Sequence, residues 1–274
     1  MELEGKIALV TGAGGGGPGG QGKGIALTLA KAGADIAVND IDRDSAEKTA
    51  AEIRAMGRRS MAVVADVTDD KAVNGMVDRV VKEWGGIDIL VNNVGLGLPI
   101  LVEDMTTEDW DAVVRRNLYA PFFCCRAVIP TMKARGGGKI VTISSMAGKK
   151  ITAMTGASYT AAKAGVLGLT RQLAFEVGPY HINVNAICPA GVTSSYRPID
   201  KAQLEEQAKR IPIRLVTMSE DIGEAALFLA SERSRTITGI TLDVEGGTSV
   251  AMGDWDGYIK MRKDSVAKRT AGKK

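Results

Sequence analysis

The residues with the clearest chemical meaning are a tyrosine and a lysine four positions apart. Tyr159 and Lys163 fall in a helix-like segment, and two adjacent hydroxyls, Ser144 and Ser145, precede them. Residues at this spacing project from the same face of a helix. A free phenol has a pKa of ~10, and a neighbouring ammonium favours its ionised form and lowers that pKa. The pair is therefore a candidate for exchanging a proton with an alcohol or a carbonyl oxygen.

The same spacing also occurs on ordinary amphipathic helices, so the pair needs a structural setting. Apolar runs predict strands at 6–10, 35–39, 60–64, 87–91, 139–143, 181–187 and 240–244. Helical patterns separate them at 24–32, 45–56, 71–84, 107–132, 158–177 and 220–230. The sequence therefore predicts an α/β fold of Rossmann type, a doubly wound parallel sheet of about seven strands with helices on both faces in a single domain.

We expect this domain to span residues 1–252, with a basic C-terminal extension at 253–274. Residues 260–274 hold seven Lys or Arg and one Asp, a net charge of +6. Because the formal charge of the whole chain is +3, the remaining residues carry a net charge of −3. Nucleic-acid binding needs a basic face on the domain itself, so no nucleic-acid partner is expected. The extension is interpreted as a mobile segment or an oligomer contact. Residues 194–219 interrupt the strand–helix rhythm after a strand, which favours a lid over a plain surface connection.

Composition argues against several other classes of protein. No apolar run approaches the ~20 residues of a membrane-spanning helix, so no membrane partner is expected. The acidic N-terminus runs directly into a strand and does not look like a secretory signal, which favours a cytoplasmic location. The chain has three cysteines, two of them adjacent, and a single histidine. These numbers favour neither a disulfide framework nor a metal site.

A glycine-rich loop joins the first predicted strand to the first helix, between Gly12 and Gly24. Glycine tolerates unusual φ values and allows close backbone approach. The N-terminus of the following helix offers free N–H groups and a positive dipole end to a pyrophosphate. A strand, a glycine loop and a helix in this order are typical of a dinucleotide site.

The second predicted strand ends in an acidic residue, Asp40. Such a residue accepts hydrogen bonds from the adenosine ribose and repels a 2′-phosphate, so NAD is predicted over NADP. Asp40 is alternatively a helix-capping residue, and Asp42 is placed to share either role. Lys23 and Arg43 are cations that would instead attract a 2′-phosphate.

Together, motifs spread over residues 3–250 resemble the short-chain dehydrogenase/reductase family in its compact single-domain branch. They comprise a cofactor loop, an acidic–apolar pair after the third strand, an Asn-Asn-x-Gly motif after the fourth, a helix Asn, an active-site Ser and the Tyr–Lys pair: Thr11-Gly12, Gly22-x-Gly24, Asp66-Val67, Asn92-Asn93-Val94-Gly95, Asn117, Ser145, Tyr159 and Lys163. The dinucleotide contacts implied by the resemblance are Gly12, Gly22, Lys23, Gly24, Asp40, Asp66, Val67, Asn93, Val94, Gly95, Tyr159, Lys163, Pro189, Val192 and Ser194.

The resemblance implies an enzyme that transfers hydride between NAD(H) and a secondary alcohol or ketone. Tyr159 would be the general acid–base, and Lys163 would lower its pKa and hold the nicotinamide ribose. Ser145 would orient the substrate oxygen, with Ser144 the lesser candidate. Asn117 would connect Lys163 to solvent through a water.

Two alternative functions remain open: a 3-oxoacyl-thioester reductase that uses NADPH, and a protein of this fold that senses the dinucleotide without chemistry. Apolar residues near the site favour a hydrophobic substrate: Leu96, Leu98, Met146, Met154 and Val192. Lys149-Lys150 are candidate contacts for a carboxylate or a coenzyme A phosphate, or else part of a solvated loop. The family also implies a homotetramer or homodimer formed through helices at 107–132 and 158–178.

The chain departs from the family pattern in three places. Nine residues, 13–21, lie between Thr11-Gly12 and Gly22, which makes the cofactor loop longer than the family loop. Pro189-Ala190 stands where the family has Pro-Gly, and Ser194 stands at a family Thr. The basic extension continues beyond the usual end. These departures concern the phosphate and nicotinamide contacts rather than the acid–base pair.

Overall fold

The computed structural model describes residues 1–16, 20–152, 154–193, 200–250 and 255–271. Its strands are β1 (Ile7–Val10), β2 (Asp35–Asp40), β3 (Ser60–Val64), β4 (Ile89–Asn92), β5 (Gly138–Ile143), β6 (Ile182–Pro189) and β7 (Thr241–Val244). They form one sheet in the order β3-β2-β1-β4-β5-β6-β7, and every neighbouring pair is parallel. The predicted doubly wound sheet is confirmed.

The helices are α1 (Gln21–Lys31), α2 (Arg43–Ala55), α3 (Asp70–Trp84), α4 (Thr107–Val114), α5 (Ala120–Ala134), α6 (Gly156–Val177), α7 (Lys201–Ala208), α8 (Ser219–Ala230) and α9 (Trp255–Ala271). The single helix expected at 107–132 is divided by a π-helical turn, Arg115–Tyr119. The basic extension contributes α9, and α7 lies in the expected lid segment, of which residues 194–199 are outside the described residues. None of the described helices combines the length and apolar character needed to cross a membrane.

Side chains of β1 alternate between two apolar cores. Ala8 and Val10 belong to the core that includes residues of α1 and α8. Ile7 and Leu9 belong to the opposite core, which includes residues of α3 and α5. Successive side chains of a strand point to opposite faces of the sheet. Burial on both faces explains why the strands read as continuous apolar runs.

The sheet reverses its winding direction at β1, which lies between β2 and β4. Ligands of open α/β sheets bind beyond the carboxyl ends of the strands at such a point. The loops after β1 and β4 are joined there, because the Asn93 backbone N–H donates to Thr11 Oγ1 at 3.0 Å. The Asn93 side-chain amide also donates to the carbonyls of Thr11 and Gly12, both at 3.2 Å.

Small residues hold the first helix close to α8. A Cβ on Gly24 would lie 2.8 Å from Ser219 Cβ, and a Cβ on Gly223 would lie 2.4 Å from Thr28 Oγ1. Either would force the helices apart, since such distances are too short for van der Waals contact. The pairing sets the position of the α1 N-terminus beside the switch point.

Candidate active site

A cleft of about 900 Å³ runs along the carboxyl edge of the sheet. Each of the strands from β1 to β6 contributes a residue at or just after its end: Gly12, Asp40, Asp66, Asn93, Ser145 and Pro189. The N-terminal part of α6 adds Tyr159 and Lys163 to the same wall. The cleft therefore brings together the glycine loop and the acid–base pair, which are far apart in the sequence.

The first turns of α6 carry the tyrosine and the lysine. The helix begins at Gly156, which has a φ of +66°, and a Cβ there would lie 2.3 Å from the Leu98 carbonyl oxygen, so only glycine fits. Lys163 is buried, and its Nζ donates to the carbonyl of Ile143 at 2.8 Å. That nitrogen lies 5.5 Å from the centre of the Tyr159 ring. The two side chains share one helix face, as their spacing predicts.

Burial perturbs both groups, in opposite directions. Loss of solvent raises the pKa of Tyr159 above its ordinary value of 10.0, and a hydrogen bond with Ser145 only partly offsets this. Burial also lowers the pKa of Lys163 to about 8. The net pKa of Tyr159 therefore lies above that of a free phenol, because desolvation of the phenolate is the largest effect here. The lowering of this pKa by Lys163 stays a prediction. Tyr159 is protonated at neutral pH and is set up as a proton donor.

The π-helical turn between α4 and α5 places Asn117 behind this pair. Asn117 is buried, and its Nδ2 donates to the carbonyls of Leu96 and Val113, both at 2.8 Å. Its Oδ1 has no hydrogen-bond partner among the described residues. A Cβ on Gly95 would lie 2.7 Å from this oxygen and 3.0 Å from Lys163 Nζ. Both polar atoms thus face the same glycine, and a buried acceptor of this kind is a site for an ordered water.

The two serines after β5 have different roles in the geometry. Ser144 is buried, and its hydroxyl donates to the Lys163 carbonyl at 3.0 Å, which ties the loop to α6. The Ser145 Oγ accepts a hydrogen bond from the Ala147 backbone N–H at 3.1 Å and is within hydrogen-bonding reach of Tyr159. This arrangement favours Ser145 as the hydroxyl that meets a substrate oxygen.

The glycine loop forms a close-fitting cradle at the start of α1. Gly12 has a φ of +62°, and a Cβ on Gly22 would lie 2.2 Å from the Gly12 carbonyl oxygen and 2.5 Å from Asn93 Nδ2. Only glycine fits at position 22, so the backbone at the helix N-terminus stays open to the cleft. Free N–H groups and the positive end of the helix dipole suit a phosphate.

The described part of the enlarged loop contacts the end of β2. The backbone N–H of Gly14 donates to Asp40 Oδ2 at 2.9 Å, and a Cβ at that glycine would lie 2.7 Å from Ser45 Cβ. Residues 17–19 lie outside the described residues. The insertion therefore begins by covering the Asp40 end of the cleft rather than the Tyr159 end.

Comparisons with known proteins agree with this geometry. A family model described as enoyl-(acyl carrier protein) reductase matches residues 17–249. The 3-oxoacyl-(acyl-carrier-protein) reductase of Thermotoga maritima is 35% identical over 249 residues, which cover 90% of this chain and 99% of that protein. A short-chain type dehydrogenase/reductase from Mycobacterium marinum has a crystal structure that matches with a TM-score of 0.82 at 32% identity, over 91% of this chain and 97% of that chain. The chain belongs to the short-chain dehydrogenase/reductase family.

A structure of 7α-hydroxysteroid dehydrogenase complexed with NADH and 7-oxo glycochenodeoxycholic acid also matches, with a TM-score of 0.82 at 35% identity over 90% of this chain and 95% of that chain. As a short-chain dehydrogenase/reductase, the protein is an oxidoreductase that acts on CH–OH groups with NAD(H) or NADP(H). The glycine cradle at Gly12 and Gly22 fits the phosphates of such a dinucleotide.

Most of the dinucleotide contacts that the family pattern implies line the cleft: Gly12, Gly22, Asp40, Asp66, Val67, Asn93, Val94, Gly95, Tyr159, Lys163, Pro189 and Val192. Two do not. The Lys23 ammonium forms a salt bridge with Glu52 at 2.7 Å, and Gly24 packs against Ser219. The structure thus gives Lys23 and Gly24 places in the scaffold rather than on the cleft wall. Ser194 lies outside the described residues.

The structure separates the two acidic residues after β2. Asp42 is the N-cap of α2, and its side chain accepts from the Ser45 backbone N–H at 2.7 Å. Asp40 does not cap a helix; besides Gly14 it accepts from the Asp42 backbone N–H at 3.2 Å. Both line the cleft, whereas Arg43 does not. The capping alternative therefore applies to Asp42.

Sequence reasoning missed several cleft residues that lie beside the motifs or on neighbouring turns: Gly15, Gly16, Ser45, Thr68, Gly97, Arg116, Ile151, Thr155 and Gly191. Ser45 reaches the cleft because the enlarged loop folds toward α2. Arg116 directly precedes Asn117, and its position depends on the π-helical turn. Adjacency to a motif was the only available signal for these residues.

Proposed function

We propose that the protein interconverts a secondary alcohol and the corresponding ketone with NAD(H), and that Tyr159 is the general acid–base. The observation that supports this most directly is the convergence of Tyr159, Ser145 and Lys163 at one end of a cleft whose other end holds the glycine cradle. When bound, the nicotinamide accepts the hydride from the alcohol carbon or gives it to the ketone carbon.

During reduction, Tyr159 donates its phenolic proton to the ketone oxygen. Its raised pKa keeps that proton in place at neutral pH. Ser145 donates a hydrogen bond that orients the same oxygen and stabilises the negative charge that develops on it. In oxidation the proton returns to Tyr159 and leaves through Lys163 and a water at Asn117 Oδ1, the buried acceptor that faces the same glycine as Lys163 Nζ.

The choice of NAD over NADP is supported by the charges at the β2 end of the cleft. Asp40 and Asp42 line it there, and the half-buried Asp40 carboxylate would repel a 2′-phosphate more strongly than the exposed Asp42 carboxylate that caps α2. Of the two candidate cations, Lys23 is paired with Glu52 and Arg43 does not line the cleft. A ribose with two free hydroxyls fits this surface better than a phosphorylated one.

The test is reduced-nicotinamide absorbance with NAD(H) and NADP(H) against a panel of secondary alcohols and ketones. Tyr159→Phe removes the proton donor, and we expect kcat/KM to fall by ~10²–10⁴-fold, with NAD affinity retained. Tyr180→Phe is a matched control, because Tyr180 is half exposed and stacks with Lys133 away from the cleft. If Tyr159→Phe kept more than about a tenth of the wild-type kcat/KM, the acid–base assignment would be wrong.

Reduction of a 3-oxoacyl thioester with NADPH is the second candidate, because the Thermotoga maritima relative that is 35% identical over 249 residues is a 3-oxoacyl-(acyl-carrier-protein) reductase. The hydroxysteroid dehydrogenase relative supports a hydrophobic cyclic substrate instead. Apolar side chains line the cleft near Tyr159, namely Leu96, Met146, Met154 and Val192. Including 3-oxobutanoyl thioesters in the panel separates the two, and dinucleotide binding without turnover of any substrate would indicate a sensor.

Assembly into a homodimer or homotetramer is part of the proposal. Large apolar side chains are exposed on the helices that the family uses for contact: Trp110, Tyr119, Phe122 and Phe175. Phe175 on α6 is 83% exposed, and cover by a partner subunit would remove its apolar surface from water. Sedimentation equilibrium would give the number of subunits. A cytoplasmic location is supported by the free, buried state of Cys124, Cys125 and Cys188.

A further inference from the structure

Two adjacent lysines, Lys149 and Lys150, follow the short turn after Ser145, and their side chains have different partners. Lys149 forms a salt bridge with Asp243 at 2.5 Å, and it does not line the cleft. Lys150 is exposed and lines the cleft. Its ammonium donates to the backbone carbonyl of Thr248 at 3.1 Å. One lysine is therefore paired with a carboxylate, while the other donates to a backbone carbonyl at the cleft and has no salt-bridge partner within the described part of the chain.

The acceptor that holds Lys150 is itself fixed by a compact turn after β7. The buried carboxylate of Glu245 accepts from the backbone N–H groups of Gly247 at 3.1 Å and Ser249 at 2.7 Å. It also accepts from the Thr248 hydroxyl. An ammonium has three donors, and the Thr248 carbonyl uses one. The turn thus keeps the Lys150 ammonium at the cleft with hydrogen-bonding capacity to spare.

The Glu245 carboxylate is on the turn that holds Lys150, but its oxygens are engaged by Gly247, Thr248 and Ser249. The carboxylates of the described cleft residues lie at the other end of the cleft. The acidic residues on the cleft wall are Asp40, Asp42 and Asp66, all at or after β2 and β3. Lys150 follows β5, which is separated from β2 by β1 and β4. Three strand spacings amount to about 14 Å. This exceeds the Debye length of ~8 Å at physiological ionic strength, so the acidic end does not neutralise the Lys150 end.

We propose that Lys150 binds an oxyanion, a carboxylate or a phosphate, that the substrate carries away from its reacting carbonyl. Apolar cleft residues close to it in the chain, Met146 and Ile151, would contact the body of the substrate. The substrate class is then an amphipathic keto acid or an anionic ketone thioester rather than a neutral ketone. This inference rests on the proposed function and specifies the substrate of the same site.

The test compares anionic ketones with neutral partners that carry the same reacting ketone. One arm uses 7-oxo glycochenodeoxycholic acid and 4-oxo-4-phenylbutanoic acid, each against its methyl ester. The other uses 3-oxobutanoyl-coenzyme A against the 3-oxobutanoyl thioester of N-acetylcysteamine. The first arm reports on a carboxylate and the second on phosphates. The ratio of KM values within a pair cancels any change in KM that both members share.

In wild type we expect the anionic member of at least one pair to have the lower KM. Lys150→Gln should raise that KM by about three- to tenfold, as expected for a solvent-accessible charged hydrogen bond, and leave kcat and the neutral partner unchanged. Lys150→Arg should restore the preference. Lys149→Gln is the matched control and should leave the ratio as in wild type. The wild-type preference should also weaken with added salt, whereas that of Lys150→Gln should not.

Three results would overturn the inference. The first is an unchanged anion-to-neutral KM ratio in Lys150→Gln, and the second is an equal change in Lys149→Gln. The third is an equal rise in KM for both members of a pair, which would show that Lys150 only supports the loop. If no alcohol or ketone of the full panel were turned over, the proposed function itself would fail, and this inference with it. Turnover of neutral ketones with no role for Lys150 would refute the inference alone.

Discussion

Substitution of Asp40 tests most directly how the cleft distinguishes NAD from NADP. The carboxylate lies at the end of β2, half buried, with one oxygen accepting from Gly14 and the other from Asp42. It therefore connects the enlarged glycine loop to the start of α2, and it is the residue that we expect to meet the adenosine ribose. Asp40→Asn keeps the shape of the side chain and removes its charge. We expect this single change to reverse much of the preference for NAD.

The size of the effect follows from two contributions. Hydrogen bonds to a charged acceptor contribute ~1 kcal/mol more than those to a neutral one, so NAD should lose about that amount. Two unit charges 4 Å apart repel by ~4 kcal/mol at an effective dielectric constant of 20. Asp40 is open to the cleft, so we take about half of that for its repulsion of a 2′-phosphate. The sum, ~3 kcal/mol, corresponds to about a hundredfold change in the NAD/NADP ratio of kcat/KM.

The assay measures kcat/KM for both dinucleotides with a single saturating alcohol at fixed ionic strength. Asp42→Asn is the matched control. It removes the same charge two residues away, and asparagine caps a helix as well as aspartate does. Because Asp42 is the N-cap of α2 and is fully exposed, we expect its variant to change the ratio by less than about threefold.

Two outcomes would refute this reasoning. A change of less than about fivefold in Asp40→Asn would mean that the carboxylate only supports the glycine loop through Gly14 and contributes little to recognition. A larger change in Asp42→Asn than in Asp40→Asn would transfer the ribose contact to the capping residue. Either outcome would leave the acid–base assignment intact, since Asp40 and Tyr159 are at opposite ends of the cleft.

Two further predictions concern the glycine cradle and the pH dependence. Gly22→Ala should weaken dinucleotide binding and lower the free energy of unfolding by ~1–3 kcal/mol, because its Cβ meets the Gly12 carbonyl. The control, Gly75→Ala on an open face of α3, should raise that free energy by ~0.5–1 kcal/mol. Calorimetric titration measures the binding and thermal unfolding the stability, and equal effects of the two variants would contradict the steric argument. The kcat/KM for alcohol oxidation should rise with pH through the Lys163 pKa of about 8, since neutral Lys163 accepts a proton relayed from Tyr159. The kcat/KM for ketone reduction should not rise over the same range. The pH profiles of both reactions test this, and a flat oxidation profile would exclude Lys163 from the relay.

The sequence was informative wherever a local pattern determined the structure. Apolar, β-rich runs predicted all seven strands of the sheet, and several of these runs are continuous because burial on both faces leaves a direct mark on composition. The strand–glycine–helix order and the motif residues after each strand predicted most of the residues that line the cleft. These features depend on the backbone path, which local residues largely decide.

Side-chain partners were predicted less well, because they come from elsewhere in the chain. Lys23 lies in the middle of the cofactor motif, yet its ammonium pairs with Glu52 of α2. The π-helical turn that orients Asn117 falls within a segment whose pattern is that of a continuous helix. The enlarged glycine loop leans on Ser45, a contact that no spacing rule indicates. Each of these depends on how two elements pack, which a pattern within one element does not contain.

The pKa of Tyr159 shows why this limit matters for mechanism. From spacing alone, a lysine one turn away should lower it, and a lowered pKa would make Tyr159 a base near neutrality. In the folded protein the same burial that raises the Tyr159 pKa brings that of Lys163 down to about 8. Lys163 is then the group that loses its proton first as the pH rises. We therefore expect oxidation to require loss of the Lys163 proton before Tyr159 acts as a base. We expect that proton to leave beside Asn117, whose Oδ1 faces the same glycine as Lys163 Nζ.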